Sequence, residues 1–140
     1  MYRLSQKEGS PMKKYVLIVD DEPDLLAIES TIVEEAGFVP VTALSAREAM
    51  QKLRKQAFAC ILTDIKLLDG SGDEIIQYVR DSKRMEVDST TPIIVVSGNI
   101  DKALLQKVGK LVNGILVKPF TAQDLKNKLA QIKGPVAKVA

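Results

Sequence analysis

Five residues of this chain have side chains that could together do chemistry: Asp20, Asp21, Asp64, Ser97 and Lys118. The 140 residues include no histidine and one cysteine, Cys60. Without histidine the commonest general base and neutral metal ligand is missing. A Ser-His-Asp or Cys-His nucleophile within the chain is therefore excluded. What remains is chemistry on carboxylates, hydroxyls, lysine or a hard, oxygen-seeking metal. Carboxylates gathered in one place raise one another's pKa and resist ionisation. A divalent cation relieves that repulsion, and Mg2+ takes an octahedral set of carboxylate, water and phosphate oxygens. Lys118 brings a charge that pairs with a carboxylate or a phosphoryl oxygen. Ser97 offers a hydroxyl donor, and Gly98 lets an oxyanion approach the backbone. The set suits phosphoryl transfer, which runs on positioning and charge neutralisation. A carboxylate can accept the group as an aspartyl phosphate. Asp64 is the candidate acceptor, because Asp20 and Asp21 form a pair suited to holding the metal.

These residues meet only if the fold collects them. Strand-length apolar runs occur at Tyr15 to Val19, Phe38 to Ala43, Ala59 to Thr63, Pro92 to Ser97 and Gly114 to Val117. Their continuous apolar character predicts strands covered on both faces. Segments with helical spacing alternate with them. The first follows Pro23, with Leu25, Leu26, Ile28, Ile32 and Val33 as its apolar positions. The second and third open on the boxes Ser45-Ala-Arg-Glu48 and Ser71-Gly-Asp-Glu74. A fourth is expected from about Ile100 to Leu111, and a fifth from near Thr121. Five strands alternating with five helices predict an α/β fold, a doubly wound parallel sheet. Residues 1–12 read as a flexible leader, 13–133 as one domain, and 134–140 as a tail or linker stub. Functional residues in such sheets gather at the carboxyl ends of the strands. Asp20 and Asp21 follow the first strand, Asp64 the third, Ser97 closes the fourth and Lys118 follows the fifth.

Apolar residues make up 46% and charged residues 27%, as in ordinary globular domains. A formal charge of +2 is too small to argue for nucleic-acid binding. No apolar run approaches the ~20 residues a membrane-spanning helix needs. A single cysteine points to a reducing compartment, hence a cytoplasmic location. Cys60 reads as a small buried hydrophobe and Met50 as core filler. Lys126, Lys128 and Lys133 read as a solvated face.

Val19-Asp-Asp-Glu-Pro23, Thr63 to Gly72 (TDIKLLDGSG), Val95-Val-Ser-Gly98 and Val117-Lys-Pro-Phe120 together resemble the receiver domain of two-component response regulators. Each fragment alone is common. All four in order, each closing its own predicted strand, are specific. The resemblance runs from about Lys13 to Lys133 and implies a flavodoxin-like sheet of strand order 2-1-3-4-5. It implies that Asp64 accepts a phosphoryl group from a histidine on a partner kinase or phosphotransfer protein, which fits a chain lacking histidine. It also implies that Asp20, Asp21, Asp64 and the Lys66 carbonyl place Mg2+. Ser97 and Lys118 then hold the phosphoryl oxygens, while Lys66, Asn99 and Ile115 modulate the switch. On this likeness the chain is a signalling switch rather than a turnover enzyme. It accepts its own phosphoryl group, hydrolyses it slowly and changes the surface it offers to a downstream target. Two positions depart from the family's habit. Leu68 replaces a common proline, and Ile115 replaces a common Tyr or Phe.

Two other readings compete. A phosphorylation-independent receiver-like module would use the same fold for binding alone. A phosphohydrolase of haloacid-dehalogenase type also uses Asp, Ser or Thr, and Lys. Its nucleophile, however, sits on the first strand in an Asp-x-Asp pattern, whereas Asp20 and Asp21 are adjacent.

Overall fold

Branched apolar residues that stay dry on both faces make the three inner strands of the sheet, while its two edge strands are largely half-buried. The computed structural model describes residues 14–67, 70–98 and 102–136. Its elements, in chain order, are β1 (Tyr15–Val19), α1 (Pro23–Glu35), β2 (Val39–Ala43), α2 (Ala46–Leu53), β3 (Cys60–Asp64) and β4 (Lys66–Leu67). They continue with β5 (Gly70–Ser71), α3 (Gly72–Arg80), β6 (Ile93–Ser97), α4 (Lys102–Val108), β7 (Gly114–Val117) and α5 (Ala122–Val136). The main sheet runs β2-β1-β3-β6-β7 with every pairing parallel. Counted over its five strands alone, this is the expected order 2-1-3-4-5.

Alternation along each strand builds two cores. Leu17, Val19, Ile61, Ile93 and Val95 face one side and pack with Ala49, Leu53, Ile75, Ile76 and Val79 of α2 and α3. Val16, Ile18, Cys60, Leu62, Ile94 and Val96 face the other side and pack with Leu26, Val33, Leu125 and Leu129 of α1 and α5. Cys60 is fully buried, and burial pushes its thiol up to about 12, as suits an inert hydrophobe. Met50 packs against the first core.

The helix starts follow local chemistry. At α2 the Glu48 amide donates to Ser45 Oγ at 3.0 Å, and Glu48 Oε1 accepts from the Leu44 amide at 2.8 Å. At α5 the Asp124 amide donates to Thr121 Oγ1 and the Thr121 amide to Asp124 Oδ2, both at 3.0 Å. The α3 helix starts at Gly72, directly after Ser71. Ahead of it lies an element the sequence did not announce: β4 and β5 form a two-stranded antiparallel hairpin, Lys66 opposite Ser71 and Leu67 opposite Gly70. Two-residue strands carry no hydrophobic period, so the pattern could not announce them.

Several other expectations shift. On α1, Ile28 is 56% exposed while Glu29 is buried. The inward row is Leu26, Glu29, Ile32 and Val33, one position off the apolar set read from the sequence. The described α4 ends at Val108, short of Leu111, and Ile100 lies outside the described residues. The α5 backbone stays helical to Val136, past the expected boundary at Lys133. Lys126 is not simply solvated, because it pairs with Glu35 of α1 at 2.9 Å. The leader 1–12, Leu68 and Asn99 also lie outside the described residues. No helix among the described residues is long and apolar enough to cross a membrane.

Arg80, at the end of α3, fastens the long connection to β6. Its guanidinium donates to the carbonyls of Leu111 at 2.8 Å, Ser89 at 2.9 Å and Thr91 at 2.7 Å, and to Asn113 Oδ1 at 3.2 Å. The same Asn113 oxygen accepts from the Ile93 amide at 2.8 Å. One cation therefore fixes the start of β6 and the approach to β7. Those two strands deliver Ser97 and Lys118.

Candidate functional site

Parallel register brings the strand ends together. Val19 stands beside Thr63, Asp64 beside Val96, and Ser97 beside Val117. Asp20, Asp64, Ser97 and Lys118 therefore emerge along one edge, and all but Lys118 are buried. The Asp20 amide donates to the Ala43 carbonyl at 3.1 Å, and the Lys118 amide to the Ser97 carbonyl at 2.8 Å. These bonds extend the strand ladders by one step and fix where both side chains start.

Lys118 is the hub. Its Nζ donates to Asp64 Oδ2 at 2.8 Å and lies 3.8 Å from Asp20 Oδ2. Burial pulls the ammonium's pKa down. The hydrogen bond and charge of Asp64, with the charges of Asp20 and Glu29, outweigh it and hold the group above its ordinary value. Asp64 Oδ1 accepts from the Lys66 amide at 3.2 Å, so the hairpin grips the other carboxylate oxygen. The Lys118–Pro119 bond that follows is cis.

Asp20 is 1% exposed. Burial raises its carboxyl above the ordinary value, and the charges of Asp64 and Glu22 add to this. The bond from the Glu22 amide at 2.9 Å and the charge of Lys118 act the other way. Oxygens of Asp20, Asp21 and Glu22 all lie within 4.8 Å of one another. Glu22 heads α1 yet makes no side-chain capping bond, which leaves its carboxylate beside the two aspartates. Such an all-oxygen set fits a hard divalent cation such as Mg2+. Asp64 is not in that trio; it joins the cluster through Lys118. Lys66 meets Asp64 through its amide, and its side chain is exposed. Ile115 is half-buried, paired with Val95 one strand inward. A Cβ at Gly98 would meet nothing within 4 Å, so open space adjoins the backbone after Ser97.

Gly72 is needed for a different reason from a turn. A Cβ there would lie 2.3 Å from the Asp64 carbonyl oxygen. The Gly72 amide donates to the Ile65 carbonyl at 2.9 Å, and Thr63 Oγ1 donates to the Asp64 carbonyl at 2.9 Å. The start of α3 therefore rests directly on the backbone of the candidate acceptor.

Sequence reasoning passed over Glu29. It is 3% exposed and lines a groove of about 900 Å³ between α1 and the β7–α5 turn, with Lys118, Phe120 and Ile32 among the other walls. Burial, then the charge of Asp20, lifts its carboxyl to about 8, against 4.5 ordinarily. The available signal was an acid at helical spacing inside an apolar row: Leu26, Glu29, Ile32 and Val33.

A family model described as "Response regulator receiver domain" matches residues 16–130. The chain is similar to the transcriptional regulatory protein TrcR of Mycobacterium tuberculosis, 30% identical over 135 residues. That match covers 94% of this chain and 48% of TrcR, so the chain spans about half that relative's length. It is 29% identical over 119 residues to the chemotaxis protein CheY of Pseudomonas aeruginosa, covering 84% of this chain and 94% of CheY. Among solved structures, a CheY-like receiver domain protein from Methanospirillum hungatei superposes with a TM-score of 0.83 at 25% identity. It covers 92% of this chain and 100% of that one.

Proposed function

Because the chain belongs to the response regulator receiver family, we propose that it is a phosphorylation-driven switch of two-component signalling whose acceptor is Asp64. Receivers are signalling proteins, and the reaction here is a single self-directed transfer followed by slow hydrolysis. An Asp64 carboxylate oxygen attacks phosphorus on a phosphohistidine of a kinase or phosphotransfer protein. The new O–P bond forms as the N–P bond breaks, and the imidazole nitrogen keeps the electron pair.

The observation that carries this reading is Lys118, 2.8 Å from Asp64 and 3.8 Å from Asp20. An ammonium this close to Asp64 supports the reading, because it would neutralise charge developing on phosphoryl oxygens carried by that residue. Ser97, on the neighbouring strand, supplies a hydroxyl to the same edge. Asp20, Asp21 and Asp64, with the Lys66 carbonyl, would hold Mg2+; when bound, the ion neutralises the acids and the phosphoryl oxygens. The added charge on Asp64 would bias the segment after Ser97 toward a second arrangement, changing the surface offered to a downstream partner. In the same proposal Lys66 and Asn99 tune the lifetime of that state, and Ile115 fills the pocket that a Tyr or Phe commonly enters on activation.

Acetyl phosphate with Mg2+ provides the test. The expected result is a mass gain of one phosphoryl group that Asp64→Asn abolishes. An unchanged mass, or a gain that persists in Asp64→Asn, refutes the acceptor assignment. Partner binding indifferent to Asp64→Asn would instead favour a binding module that works without phosphorylation.

A further inference from the structure

We propose that Glu29 is a positioning residue for Lys118, deciding whether that ammonium rests on Asp64 or is drawn back toward α1. The consequence for phosphoryl acceptance rests on the reading of Asp64 given above; the placement of Lys118 does not.

Glu29 projects from the inward row of α1, among Leu26, Ile32 and Val33. An acid in such surroundings is poorly solvated and needs either a counter-charge or a proton. Among the described residues no hydrogen bond or ion pair reaches its carboxyl. Instead it shares the wall of one groove with Lys118. The two groups act on each other through space: Glu29 strengthens the hold on the Lys118 proton, and Lys118 favours ionised Glu29.

The charged groups facing Glu29 come from every element around it. Glu22 lies at the start of α1, Asp20 after β1 and Asp64 at the end of β3, and all three disfavour its ionisation. Lys118, after β7, opposes them. From α5, Lys126 turns to Glu35 at 2.9 Å. At neutral pH Glu29 therefore keeps its proton, and Lys118 answers only to Asp64 and Asp20. Once Glu29 ionises, a third and poorly solvated carboxylate competes for the same ammonium, and Coulomb attraction is strongest where water is scarce. Lys118 then shifts toward α1, and the oxygens at Asp64 lose their cation.

The experiment follows the Lys118 side-chain carbon and nitrogen signals by NMR beside the Glu29 carboxyl carbon, from neutral to mildly alkaline pH. We expect both to inflect together at about 8, and the Lys118 inflection to vanish in Glu29→Gln, which mimics the un-ionised acid. Three results would overturn the proposal: a still Lys118 signal while Glu29 titrates, an inflection that survives Glu29→Gln, or a Glu29 carboxyl titrating in the ordinary carboxylate range. Should Glu29→Gln fail to fold, the paired wild-type signals decide alone. In acetyl phosphate the wild-type rate should fall as Glu29 ionises, and Glu29→Gln should flatten that profile. Identical profiles overturn the role of Glu29. A wild type that never gains a phosphoryl group overturns the acceptor assignment and leaves the NMR titration to judge Glu29.

Discussion

Gly72→Ala is a one-carbon change that should damage both folding and the site. The added Cβ would lie 2.3 Å from the Asp64 carbonyl oxygen, 3.0 Å from Ile65 Cα and 3.2 Å from the Asp64 carbonyl carbon. All three are backbone atoms, so no rotamer change relieves the overlap. Reaching an ordinary carbon–oxygen contact requires α3 and the end of β3 to separate by about 1 Å. The Gly72–Ile65 hydrogen bond of 2.9 Å spans the same gap and would stretch. Overpacking costs roughly 1–3 kcal/mol and the weakened bond about 1 kcal/mol. Alanine's better helix propensity returns at most about 1 kcal/mol. The net loss is about 2 kcal/mol, or a urea midpoint lowered by about 1 M at unchanged slope. The displaced Asp64 backbone also carries its carboxylate off Lys118, and a misplacement near 1 Å costs about a hundredfold in rate. Phosphoryl acceptance should therefore fall by more than the stability loss accounts for under conditions where the variant is folded. A Gly72→Ala protein with the wild-type midpoint and wild-type acceptance would show that the α3–β3 contact does not position the acid.

Two further outcomes concern stability. Folded Glu29 keeps its proton up to about 8, whereas the unfolded chain releases it near 4.5. Between those values the folded state binds the extra proton, so stability falls as pH rises, by up to about 1.4 kcal/mol per pH unit. That contribution is fully present below 4.5 and lost as pH passes about 8, a swing of about 5 kcal/mol. Urea unfolding across this range should show the slope in wild type and a flatter curve in Glu29→Gln; parallel curves would contradict it. Arg80→Ala should cost about 3 kcal/mol, because three carbonyls and Asn113 lose a charged donor together. Arg80→Lys should recover only part of this, since an ammonium cannot span the fork. A loss below about 1 kcal/mol for Arg80→Ala, read by the same unfolding assay, would remove the clamp's importance.

Most of this architecture was legible because its signals are strong and local. The five strands read as continuous apolar runs, and the polar residues closing them, Asp64, Ser97 and Lys118, mark one sheet edge whatever the loops do. The Ser45–Glu48 box announced α2 to the residue. The remainder depends on tertiary neighbours. The Lys66–Ser71 hairpin is too short to show a period. Ile28 and Glu29 exchanged places between surface and core because a one-residue turn of α1 is 100° and the apolar stripe there is wide. Glu22 lies inside the Val19–Pro23 motif, but only the fold shows its carboxylate standing with Asp20 and Asp21. Nothing near Arg80 in the sequence foretells its acceptors at Ser89, Thr91, Leu111 and Asn113.

The seam between β3 and β6 divides the site by sign. Everything acidic at its centre, Asp20, Asp21 and Asp64, belongs to the first half of the chain, while the hydroxyl of Ser97 and the ammonium of Lys118 arrive with the second. Severed within the 81–92 connection, the chain would yield one fragment with uncompensated negative charge and another with the counter-charge. Neither would hold a working pocket, and each would present the other with a complementary electrostatic face. Docking of the halves and assembly of the pocket are thus one event.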